Sequence, residues 1–387
     1  MQTLLSGANV PTTRPGRAAQ MATRAAFFVA GFGMAAWAPL IPLVKMRLGI
    51  NDAELGLLLL SLGSGSLLSM PLTGILASRL GCRIVILLSA ALLCLSLPAL
   101  TLADSVALMV PVLLLFGAAI GTLDVSMNIQ AVVVEQASGR AMMSGFHGFF
   151  SIGGIAGAGG ISALLWLGLS PLTSTLIVAA LIVVLLLLIQ RHLLSAAGES
   201  DAGPLLVMPR GWVMFIGLLC FIMFLAEGAV LDWGALFLTA QRGLTSAQAG
   251  IGYAAFSVAM TLGRLTGDRL IDRLGRYAVM MSGSLCAALG LAVAISFSSA
   301  VMSVIGFLMI GLGASNVVPI LFNAAGNQKA MPASLAIASI TTVGYAGILV
   351  GPTLLGLIAQ AASLSVAFGC VAALLLIVTA SARAITR

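Results

Sequence analysis

Two acidic residues, Asp124 and Glu227, lie inside long apolar runs of this chain and are the first candidates for chemistry. A charged side chain at the centre of a membrane span costs about 2.5–3.5 kcal/mol on insertion scales, so such a residue is a functional candidate by default. Gly121, Asp124 and Asn128 are spaced by three and four residues, which places them on one helix face. We predict that Asp124 and Asn128 bind a proton or substrate; the alternative is a structural hydrogen bond between helices. Glu227 has two interpretations. It is a second proton carrier or part of the gate between the halves, or it is an acid with no role in transport.

Three uncharged residues complete the candidate binding set, namely Trp37, Asn316 and Tyr345. Trp37 precedes Pro39 and Pro42, which loosen a helix locally. Sugars stack on indole rings, whereas a Trp near a helix end is more commonly an anchor at the membrane interface. Asn316 and Tyr345 lie near the middle of apolar runs, where they either face a cavity or bridge two helices.

A histidine, His147, begins the fifth long apolar run. The pKa range of His makes a proton relay one interpretation. The simpler interpretation, which we favour, is a residue at a helix end that pairs with Glu135.

The composition determines the class of protein. Of 387 residues, 60% are hydrophobic and 7% charged, and the mean hydropathy is +1.17, whereas soluble domains contain about 25% charged residues. We therefore predict an all-α membrane protein, embedded as a monomer in the lipid bilayer. The net charge of +7 forms no basic patch, so no nucleic acid is expected as a partner. The spans contain no nucleophile–base pair, metal cluster or phosphate loop, which argues against an enzyme and predicts no cofactor and no metal.

Twelve apolar runs reach the length of about 17–25 residues that a membrane helix needs. They are residues 23–47, 54–76, 83–103, 106–134, 142–166, 171–191, 210–238, 247–268, 277–298, 301–325, 333–361 and 364–382. The predicted organisation is a flexible cytoplasmic tail (1–22), an N-terminal six-helix half (23–194), a cytoplasmic linker (195–209) and a C-terminal six-helix half (210–387).

The two halves are a tandem repeat. A shift of 194 residues pairs landmarks throughout the chain: residues 49–56 with 243–250, Gly117 with Gly311, Gly153 with Gly347 and Gly157 with Gly351. Asn51 with Glu54 forms a capping-box pattern that starts the second helix of the first half. Thr245 with Gln248 forms the corresponding pattern in the second half.

Lys and Arg predict the orientation, because they are retained on the cytoplasmic side. With both termini inside, fifteen of the eighteen basic residues fall on the inner face, Arg264 among them. Only Lys45, Arg47 and Arg242 fall outside. We therefore predict a multi-pass protein of the inner membrane whose termini are both cytoplasmic.

A short basic loop follows the second helix of each half, GILASRLGCR at 74–83 and GDRLIDRLGR at 267–276. Both loops resemble the signature Gly-x-x-x-Asp-Arg-x-Gly-Arg-(Arg/Lys) of the major facilitator superfamily. The matching residues are Gly74, Arg79, Gly81 and Arg83 in the first loop, and Asp272, Arg273, Gly275 and Arg276 in the second. The first loop has Ser78 in place of the Asp and Cys82 in place of an Arg, and the second has Asp268 in place of the first Gly.

This resemblance implies two six-helix bundles with a substrate site between them and transport by alternating access. It also implies that Glu135 and Arg140, in the loop after the fourth span, pack on the basic loops as a conformational latch. Residues 145–154 and 226–233 are further similar to the bacterial YbjJ-like branch, which is loosely related to fucose permeases.

We expect a secondary transporter of a small solute across the inner (plasma) membrane. Proton coupling is inferred from the buried acids, and a polar, sugar-like solute is favoured. The alternatives are a proton-driven exporter of amphipathic drugs or metabolites and, less favoured, a membrane receptor, for which the chain offers no extramembrane domain.

Overall fold

Every regular element is a helix in the computed structural model, which describes residues 16–195, 209–244 and 250–386. Within these ranges we number thirteen α-helices in chain order: α1 Arg17–Ala35, α2 Ile41–Leu48, α3 Asp52–Leu80, α4 Cys82–Leu102, α5 Val106–Ser138, α6 Met143–Trp166, α7 Pro171–Ile189, α8 Trp212–Arg242, α9 Ile251–Ser296, α10 Ala300–Ala314, α11 Val317–Asn327, α12 Ala333–Ala361 and α13 Leu364–Ile385.

Eleven helical stretches of the described residues are long and apolar enough to cross a membrane, compared with the twelve spans predicted. The difference lies in α9, whose 46 residues are enough for two crossings. Its backbone leaves helical geometry at Gly275 (φ 81°, ψ 156°), and Gly81 between α3 and α4 has nearly the same angles (φ 81°, ψ 154°). Only glycine adopts this conformation without strain. The predicted spans 247–268 and 277–298 are thus the two arms of α9, and the twelve-helix architecture holds.

The starts and breaks of the helices follow the sequence signals, with one correction. Asn51 and Glu54 form the predicted capping box, each side chain accepting the other's backbone N–H at 2.9 Å. The first span breaks around Pro39, where α1 gives way to a 3-10 turn and then α2. The predicted tail ended at residue 22, but α1 already begins at Arg17, so residues 17–22 are helical. Residues 1–15, most of the linker and the Thr245–Gln248 pattern lie outside the described residues.

The repeat seen in the sequence recurs in the packing of the helices. In the first half α3 packs on α5 and α1 on α6; in the second, the matching pairs are α9 with α10 and α8 with α12. Gly117 brings α5 against the backbone of Leu62, and Gly311 brings α10 against the backbone of Phe256. Both contacts are related by the same shift of 194 residues that aligns the sequences. The fold is therefore two pseudo-symmetric six-helix bundles.

Arg47 and Arg242, two of the three basic residues predicted on the outer side, both bind the last carbonyls of a helix. Arg47 donates to the carbonyls of Leu100 and Thr101, where α4 ends. Arg242 donates to the carbonyls of Ala294 and Ile295, where α9 ends. The last carbonyls of a helix have no partner within it, and an arginine can satisfy them. Arg47 and Arg242 are thus helix caps related by the pseudo-symmetry.

The two ends of the described chain lie at the same end of the bundle. Thr386, after α13, lines a cavity together with Arg140 and Arg276. Near the start of the chain, Thr23 accepts a hydrogen bond from Gln130, whose side chain also binds Leu194. We call this end the basic end; it carries Arg79, Arg83, Arg140, Arg273 and Arg276. The most extensive contacts between the halves are those of α3 with α12 and of α6 with α9.

The outer surface of the bundle is apolar. Leu68 of α3, Leu95 of α4 and Leu188 near the end of α7 each expose about 70% of their surface. Exposed apolar area on this scale is unfavourable in water but suits the hydrocarbon of a bilayer. The chain is therefore a multi-pass membrane protein.

The close approach at Gly311 generates a stability test. In Gly311→Ala the added methyl group would collide with the Phe256 carbonyl, so we expect a loss of about 1–3 kcal/mol from overpacking and a lower thermal unfolding midpoint in detergent. Gly159→Ala is the matched control, because nothing lies within 4 Å of a methyl group there. Equal unfolding midpoints for the two variants would contradict the packing described.

Candidate functional site

An arginine lies at the centre of the candidate site. Arg264 of α9 is ten residues before Leu274 at the basic end, which at 1.5 Å per residue puts it about 15 Å deep, near the middle of a bilayer. Its Nη2 lies 3.5 Å from Oε1 of Glu227 on α8. Its Nη1 donates to the Ser151 hydroxyl on α6 at 3.1 Å. Because α6 belongs to the first half and α8 and α9 to the second, this cluster joins the two halves.

The position of Arg264 corrects the sequence analysis, which counted it on the inner face as a topology signal. The structure buries its side chain, leaving 10% exposed, within the membrane-spanning part of α9. A signal was present, because Arg264 lies inside the predicted span 247–268. A charged residue inside a span is a functional candidate by default, and this holds for Arg264 as it does for Asp124.

A second acidic group lies on the other side of the interface between the halves. Asp124 of α5 is 7% exposed. The Asn128 amide donates to the Asp124 backbone carbonyl at 2.9 Å and to its carboxylate at 3.5 Å, so the predicted shared face is formed. The Tyr345 side chain on α12 lies within electrostatic range of both Asp124 and Glu227. The structure thus brings Asp124, Asn128, Glu227 and Tyr345 into one region between the halves.

Eight buried polar atoms of the described residues have no hydrogen-bond partner, and three of the eight belong to Asn128, Glu227 and Arg264 of this region. The eight atoms are Trp37 Nε1, Asn128 Oδ1, Ser144 Oγ, His147 Nε2, Glu227 Oε1, Trp233 Nε1, Arg264 Nε and Asn316 Oδ1. An unpaired buried donor or acceptor costs about 1–3 kcal/mol, so a native protein seldom leaves several of them together without a reason. Their presence favours a site for a polar ligand.

The two aromatic candidates from the first half are both buried. Trp37 lies between the 3-10 turn and α1, with its ring centroid 6.5 Å from that of Phe116. His147 lies in the first turns of α6, with its ring 5.2 Å from Phe27 and 5.8 Å from Phe322. In the described residues it makes no hydrogen bond to Glu135, so the favoured interpretation of His147 as a partner of Glu135 is wrong. His147 instead lies within electrostatic range of Arg264.

Asn316 is bound differently from the other predicted site residues. Its amide donates to the Gly263 carbonyl at 3.2 Å and to the Ser315 hydroxyl at 2.9 Å. It therefore ties the break between α10 and α11 to α9. This arrangement matches the helix-bridging alternative for Asn316, whose hydrogen bonds among the described residues go to Gly263 and Ser315.

The start of α6 is held by three carboxylates. Five consecutive backbone N–H groups, from residue 141 to residue 145, all donate to acids: Ala141 to Asp272 at 3.4 Å, Met142 and Met143 to Glu135 at 2.7 Å each, and Ser144 and Gly145 to Asp268 at 3.0 and 2.8 Å. The first N–H groups of a helix have no internal partner, and its N-terminus attracts negative charge. Asp268 and Asp272 come from the second half, so these bonds hold the halves together at the basic end.

Glu135 also binds the second half directly. Its Oε1 lies 3.2 Å from Nη2 of Arg276 and accepts a short hydrogen bond from the Asn323 amide. The neighbouring Gln136 donates to the Asn327 side chain at 2.9 Å. Glu135 is 4% exposed, and a buried carboxylate needs several such donors to offset its lost hydration.

The other residues of the predicted latch have different surroundings. Gly74 packs against α12 beside Ser334 and Ala338, which is a close contact between the halves. Gly81 and Gly275 form the two turns described above. Arg79, Arg140 and Arg273 are exposed at the basic end, while Arg83 is half-buried.

The two basic loops are unequal. At the shift of 194 residues, Asp268 corresponds to Gly74, Asp272 to Ser78 and Glu135 to Lys329. The helix that corresponds to α6 is α12, and none of the three acids has an acidic counterpart near its start. Asp268, which appears in the sequence only as a departure from the loop signature, supplies the two shorter of the three bonds that the second half makes to the start of α6.

Comparisons with known proteins agree on one family. The sequence profile of the Major Facilitator Superfamily matches residues 25–333 and 233–386. A protein named as an uncharacterised MFS-type transporter of Yersinia pestis is 64% identical over 374 residues, 97% of each chain. Membrane protein MosC of Rhizobium meliloti is 34% identical over 345 residues, 87% of this chain and 83% of its own.

Solved structures agree on the fold. A variant of the Escherichia coli fucose:proton symporter FucP superposes with a TM-score of 0.79 at 17% identity, covering 95% of this chain and 98% of its own. The proton:xylose symporter XylE gives a TM-score of 0.70 at 11% identity, covering 96% of each chain. At such low identities the likeness shows the fold alone.

The cap on α6 generates a test of the closed basic end. Asp268→Asn removes the charge that binds Ser144 and Gly145, so we expect a second, longer distance between spin labels placed on the exposed Arg191 and Arg269, which belong to opposite halves. Pulsed EPR in a background without native cysteines measures this distance. The control is Glu54→Gln, which changes an exposed acid in a helix cap outside the basic end. A distance distribution identical to that of the unsubstituted protein would contradict the role of Asp268.

Proposed function

The chain belongs to the major facilitator superfamily of transporters, and from this premise we propose that it moves a small, polar, sugar-like solute together with protons by alternating access. As a member of this family it is a secondary transporter and not an enzyme. Solutes of such transporters bind near the middle of the membrane, between the two halves. The proposal concerns the solute, the coupling and the residues involved.

The observation that carries the proposal is the charged cluster shared by the two halves. Arg264 contacts Glu227 of its own half and Ser151 of the other, at the depth where alternating access requires the solute site. Charged residues are rare inside membrane helices because they are costly, and where they occur they mark pathways for ions and solutes. We therefore assign solute binding to this cluster together with Asp124, Asn128, Tyr345 and Trp37.

Proton coupling is proposed from the two buried acids. Asp124 and Glu227 are both carboxylates in membrane-spanning helices, and such acids form the proton relays of pumps and transporters. Two proteins with the same fold are named as proton symporters of sugars, fucose in one and xylose in the other. They support the proposal by analogy of fold. A cluster of opposite charges also suits a polar solute better than the amphipathic compounds of the alternative, an exporter.

The contacts at the basic end suggest how the halves alternate. Opening this end requires the carboxylates of Asp268 and Asp272 to leave the start of α6, and Arg276 to leave Glu135. We propose that these residues form the latch that closes the basic end, and that the half at 23–194 rocks against the half at 210–387. Since α12 has no corresponding acids near its start, the latch works mainly through α6.

The orientation and assembly are proposals of the same kind. The excess of arginine at the basic end favours a cytoplasmic location for that end, with both termini and the linker at 195–209 on the same side of a bacterial inner membrane. We propose that the protein works as a monomer, because the solute site lies between the two halves of one chain.

Asp124 provides the test of this function. Proteoliposomes containing a pH-sensitive dye receive separate pools of sugars, sugar acids and amphipathic cations. We expect proton movement with a pool of sugars or sugar acids, and none with Asp124→Asn, because the amide cannot exchange a proton. Asp104→Asn, at an exposed position between α4 and α5, is expected to behave like the unsubstituted protein. Proton movement only with amphipathic cations would favour the exporter, and equal movement with Asp124→Asn would remove Asp124 from the mechanism.

A further inference from the structure

We propose that the transported solute carries a carboxylate group, which binds Arg264 in place of Glu227. The solute class is then small hydroxylated acids, such as the uronic and aldonic acids of sugars, rather than neutral sugars. This inference rests on the transport function proposed above and specifies the chemistry of the same site.

Arg264 has hydrogen-bonding capacity that the described residues do not use. A guanidinium group has five N–H donors in a rigid planar fork, which fits a carboxylate with two parallel hydrogen bonds. Among the described residues, Nη1 binds Ser151 and Nη2 faces Glu227, whereas the buried Nε has no partner. Within the described residues, no carboxylate therefore accepts two parallel hydrogen bonds from the guanidinium group. A second carboxylate, supplied by the solute, would complete it.

The existing ion pair of Arg264 is weak. The distance of 3.5 Å between Arg264 Nη2 and Glu227 Oε1 exceeds the roughly 2.7–2.9 Å of a charge-assisted hydrogen bond. The same Oε1 atom has no hydrogen bond in the described residues. Glu227 is also the more accessible partner, with 21% of its side chain exposed against 10% for Arg264. A solute carboxylate that enters from the exposed side of Glu227 would then compete with a loosely held glutamate for the arginine.

Charge balance also supports a solute carboxylate. An arginine buried without an opposite charge is strongly unfavourable, and the hydroxyl groups of a neutral sugar cannot neutralise it. When a solute carboxylate takes over Arg264, Glu227 becomes the unpaired charge. It regains neutrality by forming an O–H bond with a proton that comes from the side on which the solute enters and reaches Glu227 through Asp124, the other acid of the proposed site. One monoanion and one proton then cross together, with no net charge moved.

The rest of the proposed site supplies partners for hydroxyl groups. Asn128 is hydrogen-bonded to Asp124, and Tyr345 lies within electrostatic range of Asp124 and Glu227. Asn128 Oδ1 and Trp37 Nε1 have no partner in the described residues. His147, close to Arg264, presents an unpaired Nε2. A carboxylate at one end and hydroxyl groups along the rest of the molecule match this distribution of partners.

The test compares matched acids and neutral sugars as probes. Binding of D-glucuronate, D-galacturonate and D-gluconate to the purified full-length protein is measured by calorimetry beside that of D-glucose and D-galactose. We expect at least one acid to bind at least 10-fold more tightly than its neutral counterpart. Arg264→Gln is expected to weaken the binding of that acid by 30-fold or more, since loss of a buried charge partner typically costs about 2–5 kcal/mol. Arg191→Gln, which removes an exposed arginine, is the control and should leave binding unchanged.

Glu227→Gln separates recognition from folding. It removes the competing carboxylate but leaves the arginine, so the acid should bind at least as tightly as before. In the unsubstituted protein, protonation of Glu227 should raise the affinity for the acid as the pH falls. In Glu227→Gln this rise in affinity should be absent. If Arg264→Gln does not fold, the double variant Arg264→Gln/Glu227→Gln removes both charges together and is expected to lose acid binding as well. In proteoliposomes, uptake of the acid should follow an imposed pH gradient and ignore an imposed membrane potential.

The remaining outcomes overturn the inference in distinguishable ways. If a neutral sugar binds better than its acid and Arg264→Gln retains that binding, the solute has no carboxylate, while the proposed sugar transport stands. Pooled amphipathic cations serve as a further probe. If folded protein binds these cations but neither sugars nor acids, both the inference and the proposed solute class fail. If it binds none of the probes, the inference fails together with the choice of a sugar-like solute.

Discussion

One helix pair, α6 with α9, carries both the hydrogen bonds that join the halves at the basic end and the contact at the proposed solute site. The N–H groups at the start of α6 are removed from water, and such groups must find partners. Asp268 of α9 provides two of them. One helical turn away on the same helix, Arg264 binds Ser151 of α6, and Leu265 packs on Gly148 between the two contacts. We therefore expect a change in charge at Arg264 to affect the cap, because the interface between them is only a few residues long.

The symmetry of the fold contrasts with the asymmetry of its chemistry. The two halves share their helix pairs, their close glycine contacts and even the arginine caps Arg47 and Arg242. They do not share charge, because the acids that hold α6 correspond to Gly74, Ser78 and Lys329 on the other side. Likewise Arg264 and Glu227 both belong to the second half. Helix packing needs only small residues at the crossings, which the repeat preserves, whereas the proposed binding and closure depend on individual side chains that differ between the halves.

The sequence predicted what depends on local pattern and missed what depends on tertiary pairing. The spans, the capping box at Asn51 and the face shared by Asp124 and Asn128 follow from apolar length and helical spacing, and all are present. Arg264 was misplaced because the rule that assigns arginines to one side of a membrane does not consider a buried partner such as Glu227. Asp268 was passed over because its importance comes from the start of α6, which is far away in sequence. The hydrogen bond from the Asn316 side chain to Gly263 likewise depends on the break between α10 and α11, which the sequence does not reveal.

The most direct test of this account is amide hydrogen exchange at residues 141–145, measured by mass spectrometry on the unsubstituted protein and on Arg264→Gln. If α6 and α9 act as one unit, loss of the contact with Ser151 should loosen the cap held by Asp268. These amides should then exchange faster in the variant, although the substitution touches none of their hydrogen bonds. Identical exchange in both proteins would show that the site and the closure of the basic end are independent, and would contradict the account.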